Sequence, residues 1–259
     1  MTSTQRLPIL RRDGSGFVPG VDDFANEAYV ALTTEAGHEV SVLATPQHLQ
    51  EFAIGHAMSE GWWSGEGSLP SVEVKQHEDG YALRMSGASS WGPLRESRLI
   101  QPSCGGCGDA MASPPPGDRF SGQTPLDPVQ LQSILRDMKT QQAMFEITGG
   151  VHAATLVSFD GHRMLREDIG RHTAVDKVIG AWLTTQDERH PAALLLSGRC
   201  GWDLMAKAVR TGIQQVACVG AMSGQAAQLA REHGILVMGF AAGENPQFVG
   251  PWPSAATKS

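Results

Sequence analysis

The sequence has little tyrosine, little cysteine and no excess of positive charge. Its 259 residues include two tyrosines and four cysteines, and 27 acidic side chains outnumber 20 basic ones, giving a formal net charge of −7. An acidic chain lacks the basic surface that non-specific nucleic-acid binding requires. Four cysteines in a chain of this length do not suggest a disulfide framework.

Long apolar runs are also missing. No stretch approaches the ~18 consecutive apolar residues of a transmembrane helix, and the N-terminus lacks the apolar segment of a secretory signal. We therefore expect a cytoplasmic protein that binds neither nucleic acid nor membrane. Hydrophobic residues nevertheless make up 41% of the chain, which is enough to form a buried core.

The composition changes along the chain and predicts five regions. At ~100–200 residues per domain, the length allows one large domain or two small ones. We expect an irregular arm at 1–24, a small α+β subdomain at 25–90, a loop or linker at 91–127, an α/β domain at 128–249 and a disordered tail at 250–259.

The N-terminal regions show strand patterns followed by a helix start. Alternating apolar residues predict strands at Ala28–Thr33 and Glu39–Ala44 and a hairpin over 71–86. Thr45-Pro46 is typical of a helix start, with Thr45 as the side-chain N-cap and proline in the first turn.

In the C-terminal region, strands alternate with helices. Asp127-Pro128 is a second helix start of the same type. The pattern after it predicts strands at 192–196, 216–219 and 235–240 and helices at 202–210 and 225–233. This alternation indicates a mainly parallel sheet covered by helices.

The loop region carries the sharpest chemical signal, Cys104-Gly105-Gly106-Cys107-Gly108. One thiol of a CxxC pair is often acidified, and the glycines leave room for another molecule's sulfur or a large cofactor. Dithiol–disulfide exchange, half of a zinc site and a persulfide carrier all fit this pattern. A closed zinc site needs four nitrogen or sulfur ligands, whereas Cys200 and Cys218 are isolated. Cys218 lies in an apolar strand, which favours a buried structural thiol.

The cysteine pair is also similar to half of the zinc deaminase signature. That signature requires an upstream H-x-E, which supplies a zinc ligand and the acid/base glutamate. None of the nine histidines is followed two positions later by glutamate. The sequence therefore lacks the machinery for deamination.

A charged block, Arg166-Glu167-Asp168-Ile169-Gly170-Arg171-His172, precedes an apolar-striped helix. Carboxylates, a guanidinium and an imidazole at a helix start can bind polar ligands or exchange protons. The alternative is a charged helix cap with solvated ion pairs. The same two interpretations apply to Asp176 and Lys177 on the next turn.

Two glycine-containing junctions join strands to helices, Ser197-Gly198-Arg199 and Gly220–Gly224. In a parallel sheet both lie at the carboxyl edge, where ligands of open α/β folds bind. Free N–H groups at helix N-termini attract phosphate. Between residues 163 and 210, eight basic residues face six acidic ones, a local balance of +2. We therefore expect an anionic ligand in this region.

Taken in order, these motifs resemble the formate dehydrogenase accessory sulfurtransferase family, the FdhD-type sulfur carriers. The resemblance runs from about Glu27 to Phe240. The segments that carry it are the Thr45-Pro46 helix through Gly61, the CxxC loop, Thr148–Ala154, Glu167–Lys177, Ser197-Gly198-Arg199 and Gly239-Phe240.

The resemblance implies a fold and a function. The fold is α/β, a cytidine-deaminase-like three-layer domain without zinc, with a smaller N-terminal α+β domain and a long cysteine-bearing loop. The function is to accept sulfur from a cysteine desulfurase as a persulfide on Cys104, with Cys107 as its partner. The sulfur passes to the molybdenum cofactor, bis(molybdopterin guanine dinucleotide), which then enters formate dehydrogenase. The protein holds no metal of its own, and a homodimer is left open.

The resemblance also implies a cofactor-binding set. It consists of the stretch Phe240, Ala241, Ala242, Gly243, Glu244 and Asn245, together with Arg171, His172, Ser197 and Arg199. Family members usually carry arginine or lysine where this chain has Ala242 and Asn245, and Glu244 adds a negative charge. Binding of the cofactor's phosphates would therefore depend more on Arg171, Arg199 and the helix N-termini.

Two other functions fit the residues. A thiol–disulfide oxidoreductase would use the same cysteine pair and form a stable, reversible disulfide. A non-catalytic module for nucleotides or pterins would tolerate serine at both cysteine positions.

Overall fold

The computed structural model describes residues 2–14, 16–94, 98–100 (backbone only), 124–185 and 189–251. Cys104 and Cys107 lie outside the described residues, as does the predicted tail beyond residue 251. Within the described ranges, every helix is too short or too polar to span a bilayer.

The N-terminal elements are seven strands and one helix. They are β1 (Thr4–Asp13), β2 (Gly16–Ala25), β3 (Ala28–Thr34), β4 (Glu39–Ala44), α1 (Leu49–Ser59), β5 (Ser71–His77), β6 (Gly80–Ser86) and β7 (Arg98–Ile100). The C-terminal elements are α2 (Pro128–Met138), a 3-10 turn (Lys139–Gln141), α3 (Ala143–Thr148), β8 (His152–Ser158), β9 (Arg163–Asp168), α4 (Arg171–Thr184), β10 (Pro191–Leu196), α5 (Trp202–Arg210), β11 (Gln215–Cys218), α6 (Gly224–Glu232), β12 (Leu236–Gly239) and β13 (Gln247–Val249).

The expectation of an irregular arm at 1–24 is wrong. Strands β1 and β2 form an antiparallel ribbon whose register runs from Thr4 opposite Ala25 to Asp13 opposite Gly16. In the sequence, Asp13-Gly14-Ser15-Gly16 and Pro19-Gly20 argue against regular structure. In a ribbon of two strands, however, each strand has an open edge that tolerates a missing N–H.

The N-terminal sheet has five strands in the order β5-β6-β3-β4-β7. Strand β4 confirms the prediction residue for residue, and β3 extends one residue further than predicted. The predicted helix start at Thr45 is wrong, because α1 begins at Leu49 and its N-cap is His48, with φ 54°. Thr45 instead bonds to a distant part of the chain, as described below.

The C-terminal sheet has six strands in the order β13-β12-β11-β10-β8-β9. Only the β10–β11 and β11–β12 pairings are parallel, and the other three are antiparallel. The prediction of a mainly parallel sheet is therefore wrong. The reason is that β8 and β9 form a hairpin on one side of the parallel strands and β13 folds back along β12 on the other.

Two predicted helices of this half are confirmed. The Asp127 side chain caps α2 by accepting a 2.7 Å hydrogen bond from the Val129 N–H. Helix α5 spans the predicted 202–210. The whole is a mixed α/β fold with several sheets. The cytidine-deaminase-like layering and the domain boundaries remain predictions.

The two sheets are joined through a close crossing of α1 and α4. A Cβ atom added at Gly55 would lie 1.8 Å from the Asp176 carbonyl oxygen, and one at Gly180 would lie 1.8 Å from the Glu51 carbonyl oxygen. No other residue type fits at either position without moving a backbone, because real Cβ atoms do not approach so closely. The two helices therefore meet backbone to backbone.

Candidate functional site

The charged block at 166–172 divides into residues that tie elements together and residues that lie at the start of α4. Arg166 donates two hydrogen bonds to the Glu51 carboxylate, at 2.5 and 2.8 Å, and so ties β9 to α1. Burial alone would raise the pKa of Glu51, but the Arg166 hydrogen bonds and charge lower it to about 2. The Glu167 carboxylate accepts 2.9 Å bonds from the N–H groups of Met144 and Phe145 and so caps α3.

Asp168 and Lys177 form a buried pair beneath the start of α4. The Lys177 Nζ lies 2.5 Å from Asp168 Oδ2 and donates to the Thr45 carbonyl at 2.8 Å. The Thr45 N–H donates to the same carboxylate at 3.0 Å, and its hydroxyl accepts from the Ile169 N–H at 3.1 Å. Thr45 therefore fixes the loop before α4 rather than capping α1.

Asp176 is the centre of a second buried cluster. Its carboxylate contacts His56 Nδ1 at 2.8 Å, Ser59 Oγ at 2.6 Å and Lys207 Nζ at 2.7 Å. Burial alone would raise the pKa of Asp176, but Lys207 and His56 hold it below its usual range. Lys207 also reaches Glu60 at 2.6 Å. Asp176 and Lys177 thus hold the two halves together.

The second half of the charged block lies at an edge of the C-terminal sheet. The strand directions bring five places to this edge: the start of β8, the start of α4 after β9, the two junctions after β10 and β11, and the turn after β12. Backbone bonds connect the last three, because Gly220 N–H donates to Gly198 O and Phe240 N–H to Gly220 O, both at 2.9 Å. The structure thus brings most of the predicted site together.

At this edge, Arg171 and His172 share one carboxylate, Asp203. His172 Nε2 is hydrogen-bonded to Asp203 Oδ2, and an Arg171 nitrogen lies 3.7 Å from the same oxygen. Burial alone would raise the pKa of Asp203, but the His172 hydrogen bond and charge, with help from Arg171, lower it to about 2. Asp203 therefore stays ionised and fixes both basic side chains.

Sequence reasoning missed two residues here, Asp203 and His152. Asp203 follows the first junction by four positions, which was an available signal. His152 opens β8, and burial together with the nearby Arg171 and His172 lowers its pKa. A Cβ at Gly198 would lie 3.5 Å from the His152 Nδ1, an ordinary van der Waals contact, which places the imidazole beside the first junction.

The predicted junction residues have different roles. The Ser197 hydroxyl accepts a 2.8 Å bond from the Ala153 N–H, which links β10 to β8. Arg199 is exposed and lies over Gly220, where an added Cβ would approach its Cγ to 2.8 Å. Arg199 is thus a cation presented to solvent, whereas Ser197 has a structural bond.

The stretch 240–245 turns away from the end of β12. Phe240 has φ 51°, in the left-handed region that L residues adopt at a cost of about 1 kcal/mol, and its side chain is 43% exposed. Ala241 is fully buried, so its side chain faces the core rather than a ligand. Gly243, Glu244 and Asn245 are exposed. Gln132 holds the turn by donating to the carbonyls of Ala241 and Gly243 at 3.0 and 3.2 Å.

The described cysteines are poor nucleophiles. Cys200 and Cys218 are both buried, and burial raises the pKa of Cys218 to about 11 and that of Cys200 well above its usual value. The prediction of a buried thiol at Cys218 is confirmed. In the part of the chain that the structure covers, no three histidine, cysteine, aspartate or glutamate side chains are placed to hold a metal ion.

The fold and this edge define a class of protein: a mixed α/β protein with two arginines, a buried histidine held by an aspartate and an exposed aromatic ring at one sheet edge. Such edges suit anionic ligands with ring systems. The chain belongs to the FdhD/NarQ family, whose sequence model matches residues 25–249.

Individual relatives agree with this assignment. The chain is 31% identical over 226 residues to the sulfur carrier protein FdhD of Bordetella parapertussis, covering 85% of this chain and 82% of that one. It is 30% identical over 252 residues to the sulfur carrier protein FdhD of Burkholderia mallei, covering 90% of both. A crystal structure from Desulfotalea psychrophila, described as a formate dehydrogenase accessory protein, has the same fold with TM-score 0.70, 20% identity, and coverage of 96% of this chain and 97% of that one.

Proposed function

We propose that this protein is a sulfur carrier of formate dehydrogenase maturation. It accepts sulfur from a cysteine desulfurase as a persulfide on Cys104 and delivers it to the molybdenum of bis(molybdopterin guanine dinucleotide). Family membership over residues 25–249 carries the proposal, and the relatives named sulfur carrier protein support it. The cations and exposed ring at the sheet edge are chemically suited to the acceptor.

The sheet edge offers what a phosphate-bearing cofactor needs. Arg171 and Arg199 can bind phosphate oxygens through charge-assisted hydrogen bonds. Within the described residues no side chain caps α4, whose N-terminus begins at Gly170. The first-turn N–H groups and the helix dipole of α4 therefore favour an anion at this point.

Asp203 and Phe240 complete the proposed binding surface. Asp203 holds His172 and Arg171 at fixed positions, so the ligand does not have to order them on binding. The exposed Phe240 ring offers a face for stacking against a planar heterocycle. Glu244 and Asn245 lie exposed beside it and contribute no positive charge.

One loading and one release event balance as follows, and a dithiol reductant must then reduce the disulfide that they leave before the next event. The Cys104 thiolate attacks the outer sulfur of the desulfurase persulfide, the sulfur–sulfur bond of that enzyme breaks, and its cysteine leaves as a thiolate. Release of the carried sulfur as sulfide requires two electrons. The Cys107 thiolate supplies them by attacking the Cys104 sulfur, which forms a disulfide between the two cysteines.

Mass spectrometry tests the loading step. The protein is incubated with a cysteine desulfurase and cysteine, and we expect an adduct of ~32 Da, one sulfur atom, on Cys104. The Cys107→Ser variant should still load, whereas Cys104→Ser should not. Loading elsewhere, or retained formate dehydrogenase activity in cells carrying Cys104→Ser, would overturn the proposal and support a non-catalytic binding module.

A further inference from the structure

His152 lies at the sheet edge and has no part in the function proposed above. It is the first residue of β8 and lies opposite Asp168 of β9. Its ring is next to Gly198 of the first junction, and the residue is only partly buried. A ligand at this edge can therefore reach the imidazole.

The imidazole of His152 is not bonded to the protein around it. Among the residues that the structure describes, neither of its ring nitrogens has a hydrogen-bond partner. The three buried histidines differ in this respect, because 38, 56 and 172 are each bonded to a neighbouring side chain. Buried and partly buried polar groups normally have a partner. The nitrogens of His152 are thus available to a ligand.

The charged groups near His152 come from the elements packed around the start of β8. They are Arg171, His172 and Lys177 of α4, Arg199 of the first junction, Asp203 of α5, and Glu167 and Asp168 of β9. The three carboxylates are all bonded elsewhere. Burial, and then the charges of Arg171 and His172, lower the pKa of His152. The imidazole is therefore neutral at neutral pH in the free protein.

A phosphate bound at this edge would change the charge around His152. Its negative charge beside the ring favours the protonated imidazole. The imidazolium N–H then donates a charge-assisted hydrogen bond to a phosphate oxygen. The proton comes from the solvent, and no electrons are transferred.

We propose that His152 takes up a proton as the sheet edge binds a phosphate-bearing ligand, and so becomes an additional cation beside Arg171 and Arg199. The proposal rests on the proposed function only in placing such a ligand at this edge. Because binding and proton uptake are linked, each favours the other by the same factor. The ligand therefore binds more tightly as the pH falls below neutral.

Calorimetric titration with GDP measures this linkage. Wild-type protein and His152→Gln are compared between about pH 8 and about pH 5.5, the range in which histidine changes its charge. Glutamine keeps a hydrogen-bonding side chain but cannot become a cation. We expect the affinity of the wild type to rise about threefold more than that of the variant over this range. GDP itself also titrates, but it does so in the same way with both proteins.

The protons taken up are counted by repeating the titration in two buffers of different ionisation heat. We expect the wild type to take up more protons per GDP bound than His152→Gln does. The matched control is His77→Gln, because His77 is an exposed histidine at the end of β5 in the N-terminal sheet. It should behave as the wild type does, and circular dichroism establishes that each variant is folded.

Each outcome decides the proposal. A gain in affinity and a proton uptake that are lost only in His152→Gln support it. Equal pH dependence and equal proton uptake in wild type and His152→Gln overturn it and leave the sulfur carrier function standing. A wild type that binds no GDP at any pH overturns it together with the proposed cofactor site, whereas sulfur loading on Cys104 is measured separately.

Discussion

The helix crossing and the sheet edge use similar side chains in opposite ways. At the α1–α4 crossing, Asp168, Asp176, Lys177 and Lys207 are buried and each charge has a partner within 3 Å. At the sheet edge, Arg199 is exposed and Arg171 is partly exposed. These two regions show that the charged block at 166–172 does not act as one functional unit. Its first residues serve packing, and only its last two reach the candidate site.

The largest expected effect comes from breaking the buried cluster. Asp176→Ala removes the buried carboxylate that His56 and Lys207 share and leaves Lys207 with Glu60 alone, which should lower the free energy of unfolding by about 3 kcal/mol. Denaturant titration at neutral pH measures the loss. The matched control is Asp137→Ala, since Asp137 pairs with Arg163 at 3.2 Å on the surface and should cost under about 1 kcal/mol.

The stability that Asp176 contributes to the fold depends on pH. Lys207 and His56 hold the pKa of Asp176 in the folded protein below its usual value of 3.8, so its carboxylate stabilises the fold above that pH. This stabilisation is lost as the pH falls through the pKa that Asp176 has in the folded protein. The stability difference between wild type and Asp176→Ala should therefore narrow in acid. Equal losses for Asp176→Ala and Asp137→Ala would contradict the structural role of the cluster.

A smaller effect is expected from crowding the helix crossing. Gly180→Ala forces a methyl group against the Glu51 carbonyl and should lower the free energy of unfolding by about 1–3 kcal/mol. Gly224→Ala is the control, because a Cβ there meets no atom within 4 Å. Thermal or denaturant unfolding measures the stability of both variants. Equal stability of Gly180→Ala and Gly224→Ala would show that the two helices do not meet backbone to backbone.

Substitutions at the sheet edge should change stability least. They should change ligand binding clearly. Arg199→Ala removes an exposed cation and should alter the free energy of unfolding by less than about 0.5 kcal/mol. It should weaken GDP, a fragment of the proposed cofactor, about tenfold, since a hydrogen bond to a charged group contributes roughly 1.5 kcal/mol or more. Calorimetric titration measures this affinity. Arg231→Ala, an exposed arginine of α6, should bind GDP as the wild type does.

Elements specified by local patterns could be predicted from the sequence. Strand β4 and helix α5 match their predicted ranges, and Asp127 caps α2 as expected. Thr45 shows the limit of this approach. It looks like a helix cap, but its hydroxyl bonds to residue 169, a partner 124 positions away. Local chemistry does not reveal such a partner.

The candidate site could also be predicted only in part from local patterns. The junction glycines and Arg199 could be assigned to a sheet edge because parallel strands place their ends together. The buried Ala241 and the structural bond of Ser197 could not be anticipated, because both depend on distant partners: Ala241 bonds to β11 and α2, and Ser197 to the antiparallel neighbour β8. The ribbon was missed because proline weighs against a strand only where both edges are paired.

The glycine crossing has a consequence for how the polypeptide can be divided. Gly55 and Gly180 let two backbones touch, and the buried charges around them belong in part to each half. If the chain were cut in the segment between residues 94 and 124, each fragment would expose two things to water. One is a set of buried charges without their partners, and the other is the helix surface that the second fragment covers. Neither fragment would be an autonomous folding unit, so the two would need to be co-expressed and to reassemble by complementation.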